Sequence, residues 1–359
     1  MKKIICIHLL NDYSGSPFIL SQTIQSLQKN SYIVELFTND TEGFLSNLDV
    51  KKYNVFYKRS NYKIFVLLYY LYSQMNLFFK LLKYKNEDTV FYINTMMPFG
   101  AGLAGKLLGI EVIYHIHETS IRPNILKKFL LKVIEFTSSK NIYVSKFLAK
   151  TEPIKNVQQY TIYNALPKSF TDKANRHKYN PSMNFNVLMI CSLKEYKGIL
   201  EFLELARLCK DVKFDLVLNA STEDIDLYFK NIKKLNNITI FPSQKNLHPF
   251  YEKASLVLNL SRIDQCQETF GMTILEAMSY AIPCIVPPIG GPIEIVDDNI
   301  NGYTISSYEV NDIAKKITDL NNNNRNQLNK LSINARLKSK QFKQEIFSNE
   351  ILKVVNEKN

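Results

Sequence analysis

The stretch Glu268-Thr-Phe-Gly-Met-Thr-Ile-Leu-Glu276 lies where a predicted strand and loop lead into an apolar helix. The strand is predicted at Leu256–Leu260 and the helix at Gly271–Ser279. The first backbone N–H groups of a helix have no acceptor within the helix, and the helix dipole is positive at that end. The backbone at Phe270, Gly271 and Met272 is therefore predicted to receive an anion such as a diphosphate.

Two glutamates eight residues apart flank this helix start. Glu276 lies about one and a half turns inside the helix, and its carboxylate can accept two hydrogen bonds, as two ribose hydroxyls of a nucleotide would require. Glu268, just before the helix, could hold the hydroxyls of a sugar. The spacing is equally consistent with Thr269 as an ordinary helix cap and both acids as solvated charges. The two glutamates alone therefore leave the function open.

Short β-branched or aromatic runs alternate with longer amphipathic stretches on both sides of this segment. The predicted strands are Lys3–His8, Tyr32–Thr38, Asn54–Tyr57, Thr89–Asn94, Glu111–His115 and Asn141–Val144, then Phe185–Cys191, Lys213–Leu218, Ile238–Phe241, Leu256–Leu260 and Cys284–Pro287. Such alternation is typical of βαβ units and predicts an α/β architecture with parallel sheets. The pattern occurs twice, and 359 residues are enough for two domains.

A polar segment separates the two halves of the chain. We predict an N-terminal Rossmann-like domain over residues 1–167 and a C-terminal Rossmann-like domain over residues 185–341. Residues 168–184 carry no periodic pattern and are predicted to be the linker. The helical tail, about residues 342–359, is predicted to return to the first domain.

The cysteines and the N-terminus indicate an intracellular protein without a disulfide framework. The five cysteines are odd in number and widely scattered, with no CxxC, no HExxH and no His/Cys cluster, so a protein-bound catalytic metal is not expected. The apolar run within Met1–Leu10 is brief and leads into Asn11-Asp-Tyr-Ser-Gly15, which favours a first strand over a signal peptide.

Positive charge is concentrated in the first half. The net charge is +12, from 45 Lys+Arg against 33 Asp+Glu. Residues 1–165 carry 20 − 11 = +9, and the remainder carries 25 − 22 = +3. This asymmetry indicates an anionic partner. No signature of a nucleic-acid module accompanies it, which favours a phosphorylated substrate or a membrane surface over nucleic acid.

The segment from Ile64 to Leu82 is rich in large apolar residues and tyrosines, with Lys80, Lys83 and Lys85 at its end. One interpretation is a helix of the first domain that faces the core. The other is a membrane-docking helix with a basic rim, which would suit a lipid-linked acceptor. The segment is too short and too interrupted by polar residues to predict a membrane span.

Three motifs downstream of Glu276 match a known family in order and spacing. They are Ala277-Met-Ser-Tyr-Ala-Ile-Pro-Cys-Ile-Val-Pro287, Gly290-Gly-Pro-Ile-Glu294-Ile-Val and Asn301-Gly302. Together with the two glutamates they resemble the family-4 retaining glycosyltransferases (glycosyl transferases group 1), whose fold is GT-B. The resemblance is clear over most of residues 186–303. It implies two doubly wound Rossmann-like domains with a cleft between them, a nucleotide-diphosphate sugar on the C-terminal domain and an acceptor on the N-terminal one.

The resemblance also assigns a cation to the donor diphosphate. The family has an Arg and a Lys five residues apart after the first strand of the second domain. Lys197-Gly198 matches the Lys-Gly pair, whereas Ser192 stands where the Arg is expected. A cation there stabilises the charge that develops on the leaving group. Lys194 is an alternative source of the missing charge, and Lys197 as an ordinary surface lysine at a helix start is the competing interpretation.

Two positions in the first domain match the family less closely. His117-Glu118 follows a predicted strand, where the family has a His followed by an acid, so His117 is implied to lie beside the donor sugar and to assist transfer. His115 is on the same face of the strand, and either could be a structural histidine. Gly15, in Asn11-Asp-Tyr-Ser-Gly15-Ser16-Pro17, partly matches a glycine loop that contacts phosphate, with Ser16 as the predicted helix cap.

The sequence therefore predicts a retaining hexosyltransferase that moves a sugar from a nucleotide-diphosphate donor to a hydroxyl of a glycan or lipid-linked acceptor. Bacterial surface polysaccharide or glycolipid synthesis is the expected setting, with the enzyme cytoplasmic and peripheral on an anionic membrane surface. No cofactor and no essential metal ion are expected. The alternatives are another GT-B enzyme, such as a sugar-nucleotide epimerase, and a non-catalytic nucleotide-sugar-binding protein.

Overall fold

The structure, a computed structural model, describes residues 2–58, 60, 62–177, 184–322 and 325–357. The chain divides into two compact units. Unit 1 comprises Met1–Ala165 and Glu345–Asn359, and unit 2 comprises Leu166–Gln344.

Unit 1 is built on a seven-stranded parallel sheet in the order β3-β2-β1-β4-β5-β6-β7. Its strands are β1 Lys3–Ile7, β2 Ile33–Thr38, β3 Lys51–Asn54, β4 Thr89–Asn94, β5 Glu111–Ile116, β6 Lys140–Tyr143 and β7 Gln158–Thr161. Its helices before the second unit are α1 Gly15–Lys29, α2 Lys63–Leu81, α3 Phe99–Leu108, α4 Asn124–Thr137 and α5 Lys146–Thr151. The residues Ile4 to Ile7 of β1 have no exposed surface, as expected for the centre of a sheet covered on both faces.

Unit 2 contains a six-stranded parallel sheet in the order β10-β9-β8-β11-β12-β13. Its strands are β8 Asn186–Ser192, β9 Lys213–Asn219, β10 Ile238–Phe241, β11 Leu256–Leu258, β12 Cys284–Val286 and β13 Gly302–Thr304. Its helices are α6 Lys168–Arg176, α7 Ile199–Leu208, α8 Thr222–Phe229, α9 His248–Lys253, α10 Met272–Ser279, α11 Pro292–Ile295, α12 Val310–Asn322 and α13 Arg325–Ser339. A core that includes Phe202, Phe214 and Ile317 fills the space between this sheet and its helices.

The last helix, α14 Gln344–Asn356, packs on unit 1. The buried Lys140 of β6 donates a hydrogen bond of 3.1 Å to the carbonyl of Val354, and its charge is paired with Glu111 at 2.6 Å. A buried lysine needs such partners because an unpaired charge in the interior is costly. Lys140 therefore ties the C-terminal helix to the sheet.

The strand orders confirm the predicted fold class, since each sheet winds outward in both directions from its first strand. Several local predictions were wrong. β3 lies at Lys51–Asn54 rather than at residues 54–57, while β7 and β13 were not predicted; all three are only three or four residues long. Strands this short carry little periodicity for a sequence pattern to reveal.

The predicted linker begins with a helix. Lys168–Arg176 forms α6, although Phe170 and Ala174 are the only apolar residues of this helix. The ring of Phe170 packs against Tyr251 and Tyr280, at 6.2 and 6.0 Å between centroids. Ala174 is buried, and Arg336 of α13 donates hydrogen bonds to the carbonyls of Ala174 and His177, at 3.4 and 3.2 Å. Contacts distant in sequence therefore stabilise a helix that lacks an apolar stripe. Residues 178–183 of the predicted linker lie outside the described residues.

Candidate functional site

The predicted donor residues of unit 2 lie after β8 and β11, the neighbouring strands at which the sheet order reverses. Ligands of doubly wound sheets bind at this switch point, beyond the carboxyl ends of the strands. Ser192 is the last residue of β8, and a short turn of 3₁₀ helix at Glu195–Lys197 follows it. Gly198 has φ +80°, and a Cβ atom there would lie 2.3 Å from the carbonyl oxygen of Leu260. The missing side chain thus lets the two loops approach.

Lys197 and Glu268 form an ion pair at this point. Their side chains are 17% and 25% exposed, so the pair is only partly accessible to water. Burial lowers the pKa of Lys197, but the charge of Glu268 outweighs it and the pKa lies above its usual value. Burial likewise raises the pKa of Glu268, and the lysine charge brings it below the usual value. Both groups are therefore charged at neutral pH.

The start of α10 is shaped by glycine and by a buried aromatic ring. Gly271 precedes the helix with φ +116°, a conformation that residues with a side chain rarely adopt. The side chain of Phe270 is buried, and its ring packs against Phe342 at 5.8 Å between centroids. Phe270, Gly271 and Met272 can therefore contribute backbone groups to an anion, while the Phe270 ring belongs to the core.

The glycine pair Gly290-Gly291 supports the loop that carries Glu268. The backbone N–H of Gly291 donates to the carbonyl of Glu268 at 2.8 Å. A Cβ atom at Gly291 would lie 2.2 Å from the carbonyl oxygen of Thr269. Gly290 has φ +100°, and a Cβ atom there would lie 2.7 Å from the carbonyl oxygen of Glu268. Glycine is needed at both positions because a side chain at either one would overlap the backbone of Glu268 or Thr269.

Glu276 lies on α10 and is held by a tyrosine that the sequence did not predict. The hydroxyl of Tyr251 in α9 donates to Glu276 Oε2 at 2.6 Å. Burial raises the pKa of Glu276 to about 7, and the tyrosine bond partly opposes this. The carboxyl group therefore titrates near neutral pH. Its second oxygen remains a potential acceptor for a ligand hydroxyl.

Two further residues near Lys197 were missed by the sequence analysis. The Ser261 hydroxyl donates to Glu268 Oε1 at 3.3 Å. Arg262 supplies an arginine close to the 3₁₀ turn, since its backbone N–H donates to the carbonyl of Tyr196 at 2.8 Å. Its guanidinium is paired with Glu201 at 2.7 Å and Glu195 at 3.1 Å. The charge of Arg262 is therefore paired with two glutamates of its own unit. Nothing in its sequence position distinguished it.

His117 belongs to unit 1, where it follows β5. Its Nε2 atom lies 2.9 Å from Oδ1 of the buried Asn94. Burial, followed by the nearby rings of His115 and His8, lowers the pKa of His117 well below its usual value. His115 is fully buried against the Tyr92 hydroxyl at 2.8 Å, the structural role that the sequence left open.

Glu118 and Gly15 complete the candidate residues of unit 1. Glu118 accepts hydrogen bonds from the backbone N–H groups of His117 and Met96, at 3.2 and 3.4 Å, and burial raises its pKa to about 7. Gly15 begins α1, and a Cβ atom there would meet open space. The helix cap is Ser14 rather than the predicted Ser16, because the helix starts two residues earlier than expected. The carbonyl of Ser16 instead accepts a bond from Asn94 at 3.1 Å.

No cluster of three or more His, Cys, Asp or Glu side chains suited to a metal ion occurs within the described ranges. The five cysteines are unpaired with one another: Cys6, Cys209 and Cys284 are buried, and Cys191 and Cys266 are partly buried. Lys197 Nζ lies 4.0 Å from Cys266 Sγ.

Comparison with known families decides the identity of unit 2. A family model described as glycosyl transferases group 1 matches residues 171–338, nearly the whole of this unit. The chain belongs to the glycosyl transferases group 1 through this unit. The matched residues of this group 1 chain include Lys197, Glu268 and Glu276.

Curated relatives of this group 1 chain are more distant. An uncharacterized glycosyltransferase from Methanocaldococcus jannaschii is 28% identical over 254 residues, 64% of this chain and 65% of the relative. The N-acetyl-alpha-D-glucosaminyl L-malate synthase of Bacillus anthracis is 22% identical over 239 residues, 61% of each chain. The matches thus span less than two thirds of either relative.

Solved structures match this group 1 chain over nearly its full length. HepE from Anabaena, in complex with UDP and glucose, has a TM-score of 0.79 at 16% identity and covers 99% of both chains. The sucrose-phosphate synthase of Thermosynechococcus elongatus has a TM-score of 0.74 at 16% identity and covers 99% of this chain and 98% of that one. At such identity these matches establish the fold, which is GT-B.

Proposed function

We propose that the chain transfers a sugar from a nucleotide-diphosphate donor to a hydroxyl of a glycan or lipid-linked acceptor, with retention of anomeric configuration. The Lys197–Glu268 ion pair beside the start of α10 carries this proposal. It places an ammonium group and a carboxylate near the N-terminus of α10, where the helix dipole is positive, which is the chemistry that a diphosphate linked to a sugar requires.

In this proposal each donor group of unit 2 has a distinct role. The diphosphate lies on Lys197 and the backbone at Phe270–Met272, while Glu268 accepts hydrogen bonds from the sugar hydroxyls. Glu276 accepts hydrogen bonds from the ribose. Ser192, the last residue of β8 and three residues before the 3₁₀ turn, is assigned in this proposal to contact phosphate through its hydroxyl. The departing phosphate takes the proton of the attacking acceptor hydroxyl, so the sugar is attacked on the face from which the phosphate leaves.

The ion pair also predicts how Lys197 responds to the donor. Without a ligand the ammonium group is held by Glu268, so an arriving diphosphate shares or displaces that bond. A charge already fixed in a partly buried position needs little reorganisation when negative charge develops on the leaving group. His117 and Gly15, in unit 1, are proposed to contribute to transfer and to phosphate contact respectively.

Donor binding is tested first. Thermal shifts are measured with UDP-, GDP-, ADP- and dTDP-sugars, since a ligand that binds only the folded state raises the melting temperature. UDP-glucose comes first in the panel because the Anabaena structures contain UDP-glucose, or UDP and glucose. We expect one nucleotide class to raise the melting temperature, and the Lys197→Ala variant to lose most of the shift. No shift with any donor would contradict the proposal.

Product analysis then separates transfer from its rivals. With a labelled donor, transfer yields a labelled acceptor whose anomeric configuration is that of the donor. A sugar-nucleotide epimerase would instead yield an epimeric sugar without consuming acceptor. Binding without turnover across a panel of glycan and lipid-linked acceptors would indicate a non-catalytic nucleotide-sugar-binding protein.

The proposed cellular setting is the synthesis of bacterial surface polysaccharide or glycolipid, at the cytoplasmic side of an anionic membrane. The scattered cysteines suit a reducing compartment. The surplus of nine positive charges in residues 1–165 suits anionic lipid headgroups. Cell fractionation with an antibody tests this: a peripheral protein is recovered with membranes and is released by high salt or alkaline carbonate.

A further inference from the structure

The outward face of α2 is apolar and exposed to solvent. Six of its side chains are more than half exposed, and we call them the α2 face: Ile64, Leu67, Leu68, Tyr72, Met75 and Phe79. The sequence from Ile64 to Phe79 contains no charged residue. Large apolar surfaces of this kind mark interaction sites, because the free energy falls when apolar surface is removed from water. The core-facing interpretation therefore describes only the opposite side of the helix.

That opposite side is fixed to unit 1. The buried Tyr70 donates its hydroxyl to the carbonyl of Met97 at 2.6 Å, and the Gln74 side chain accepts from the N–H of Gly100 at 3.0 Å. A Cβ atom at Gly100 would lie 2.2 Å from the carbonyl oxygen of Gln74, so α2 and α3 are in backbone contact. Ile64–Tyr84 is long and apolar enough to cross a bilayer. Its contacts with α3 and the residues just before α3 instead hold α2 on the surface of unit 1.

The neighbouring helices extend the apolar face and add positive charge. α3 contacts both α2 and α4, and it exposes Leu107, while α4 exposes Ile125 and Phe136. The three helices together carry six lysines against one glutamate, and one of the six, Lys127, is paired with Glu152. Lys128 and Lys132 of α4 are exposed. Apolar side chains beside a surplus of lysine are typical of helices that lie in the interface of an anionic bilayer.

We propose that the α2 face, with the lysines of α3 and α4, docks unit 1 on a bilayer that contains anionic phospholipid. Charge favours this occupant over a second copy of the chain. A twofold interface sets the same patch against itself, so it would bring the exposed Lys128 and Lys132 of one copy towards those of the other. An anionic bilayer pairs with both the lysines and the apolar face. This docking rests on the proposed function in one respect: it would bring unit 1 to the membrane that carries a lipid-linked acceptor. Vesicle binding itself does not require transfer activity.

Vesicle sedimentation tests the proposal with the full chain. The probes are vesicles of phosphatidylcholine alone and of phosphatidylcholine with phosphatidylglycerol, at low and high salt. We expect strong binding to the anionic vesicles, weakened by salt. The triple variant Leu67→Ser/Leu68→Ser/Met75→Ser should bind at least tenfold more weakly. Lys128→Gln/Lys132→Gln should lose about thirtyfold on anionic vesicles alone, since each lysine near such a surface contributes about 1 kcal/mol.

The matched control variants replace residues of unit 2 that are similarly exposed. Leu227→Ser/Ile333→Ser/Leu337→Ser and Lys233→Gln/Lys315→Gln should bind vesicles as the wild type does. Unchanged binding by the α2 triple variant would overturn the surface assignment, and absence of wild-type binding to anionic vesicles would overturn the docking itself. If the wild type did not bind vesicles but sedimented as a dimer, and the triple variant sedimented as a monomer, the occupant of the α2 face would be a second copy of the chain. Donor thermal shifts that persist in the triple variant separate failure of docking from failure of the proposed function.

Discussion

The amide oxygen of Asn94 lies 2.9 Å from Nε2 of His117, and this contact determines where the imidazole holds its proton. The amide nitrogen of Asn94 donates to the carbonyl of Ser16 at 3.1 Å and lies 3.1 Å from Nδ1 of His8. Since a carbonyl oxygen can only accept, the nitrogen must face Ser16 and the oxygen must face His117. His117 is therefore a neutral imidazole with its proton on Nε2, in agreement with its lowered pKa.

Asn94→Asp should change the protonation of His117. A carboxylate at this position attracts a proton to the imidazole and raises its pKa. We expect an NMR titration of His117 to move towards neutral pH, and turnover to fall about tenfold to hundredfold because the ring is repositioned. Asn39→Asp is the control, since Asn39 Oδ1 also accepts a buried bond in unit 1, from the N–H of Asn11 at 2.7 Å. An unaltered His117 titration in Asn94→Asp would refute the positioning role.

Lys197→Ala should lower turnover by about a hundredfold to a thousandfold, because the cation that stabilises the leaving phosphate is lost. The change also removes the partner of Glu268, whose pKa should then rise. Steady-state kinetics with the preferred donor measure the effect. Lys194→Ala is the matched control: Lys194 is exposed three residues away and should be nearly silent. If Lys194→Ala were the inactive variant instead, that lysine would be the diphosphate cation.

Donor binding should depend on pH through Glu276. With a pKa of about 7, its carboxylate is mostly ionised at pH 8 and mostly protonated at pH 6. If the ionised form holds the ribose, donor affinity falls about tenfold as the pH is lowered from 8 to 6. Calorimetric titrations at several pH values measure it. Tyr251→Phe removes the hydroxyl that favours the ionised form and should move the midpoint to higher pH. Glu276→Gln should abolish this pH dependence of donor affinity. If the affinity of the Glu276→Gln variant still changed with pH, another group would be responsible for the change.

The same group should affect the stability of the folded protein. The folded pKa of Glu276 lies above its ordinary value of 4.5, so the folded state binds the proton more tightly than the unfolded state. Its contribution to stability is fully present below about pH 4.5 and is lost as pH rises through about 7. Relative to the wild type, Glu276→Gln should therefore gain stability between pH 5 and pH 8, as followed by thermal melting. A constant difference in melting temperature across this range would show that the pKa is not raised.

Gly291→Ala should destabilise the loop that carries Glu268, by about 1–3 kcal/mol, because its Cβ atom would overlap the carbonyl oxygen of Thr269. We expect a lower melting temperature together with weaker donor binding. Gly15→Ala provides the contrast, since its Cβ atom meets open space and the position begins a helix. Its melting temperature should not fall. A loss of activity in Gly15→Ala at unchanged melting temperature would support its proposed phosphate contact.

The fold class and part of the site could be predicted from sequence because they depend on local patterns. The alternation of strands and helices predicted two parallel sheets, and the Glu268–Glu276 segment predicted a helix start that is observed at Met272. Tyr251 and Asn94 could not be predicted, because each acts on a site residue more than twenty positions away. A tyrosine or asparagine in a mostly apolar stretch carries no local signal of such a partner.

What the sequence by itself determined was the repeated alternation of strands and helices and the start of α10, since these follow from periodicity and from the unsatisfied N–H groups at a helix end. Tertiary structure alone decided which cation and carboxylate pair, since Lys197 and Glu268 are 71 residues apart and meet only because β8 and β11 are neighbours. It also decided which side of α2 is buried. The helix is apolar almost all round, so only its contact with α3 distinguishes the fixed face from the exposed one.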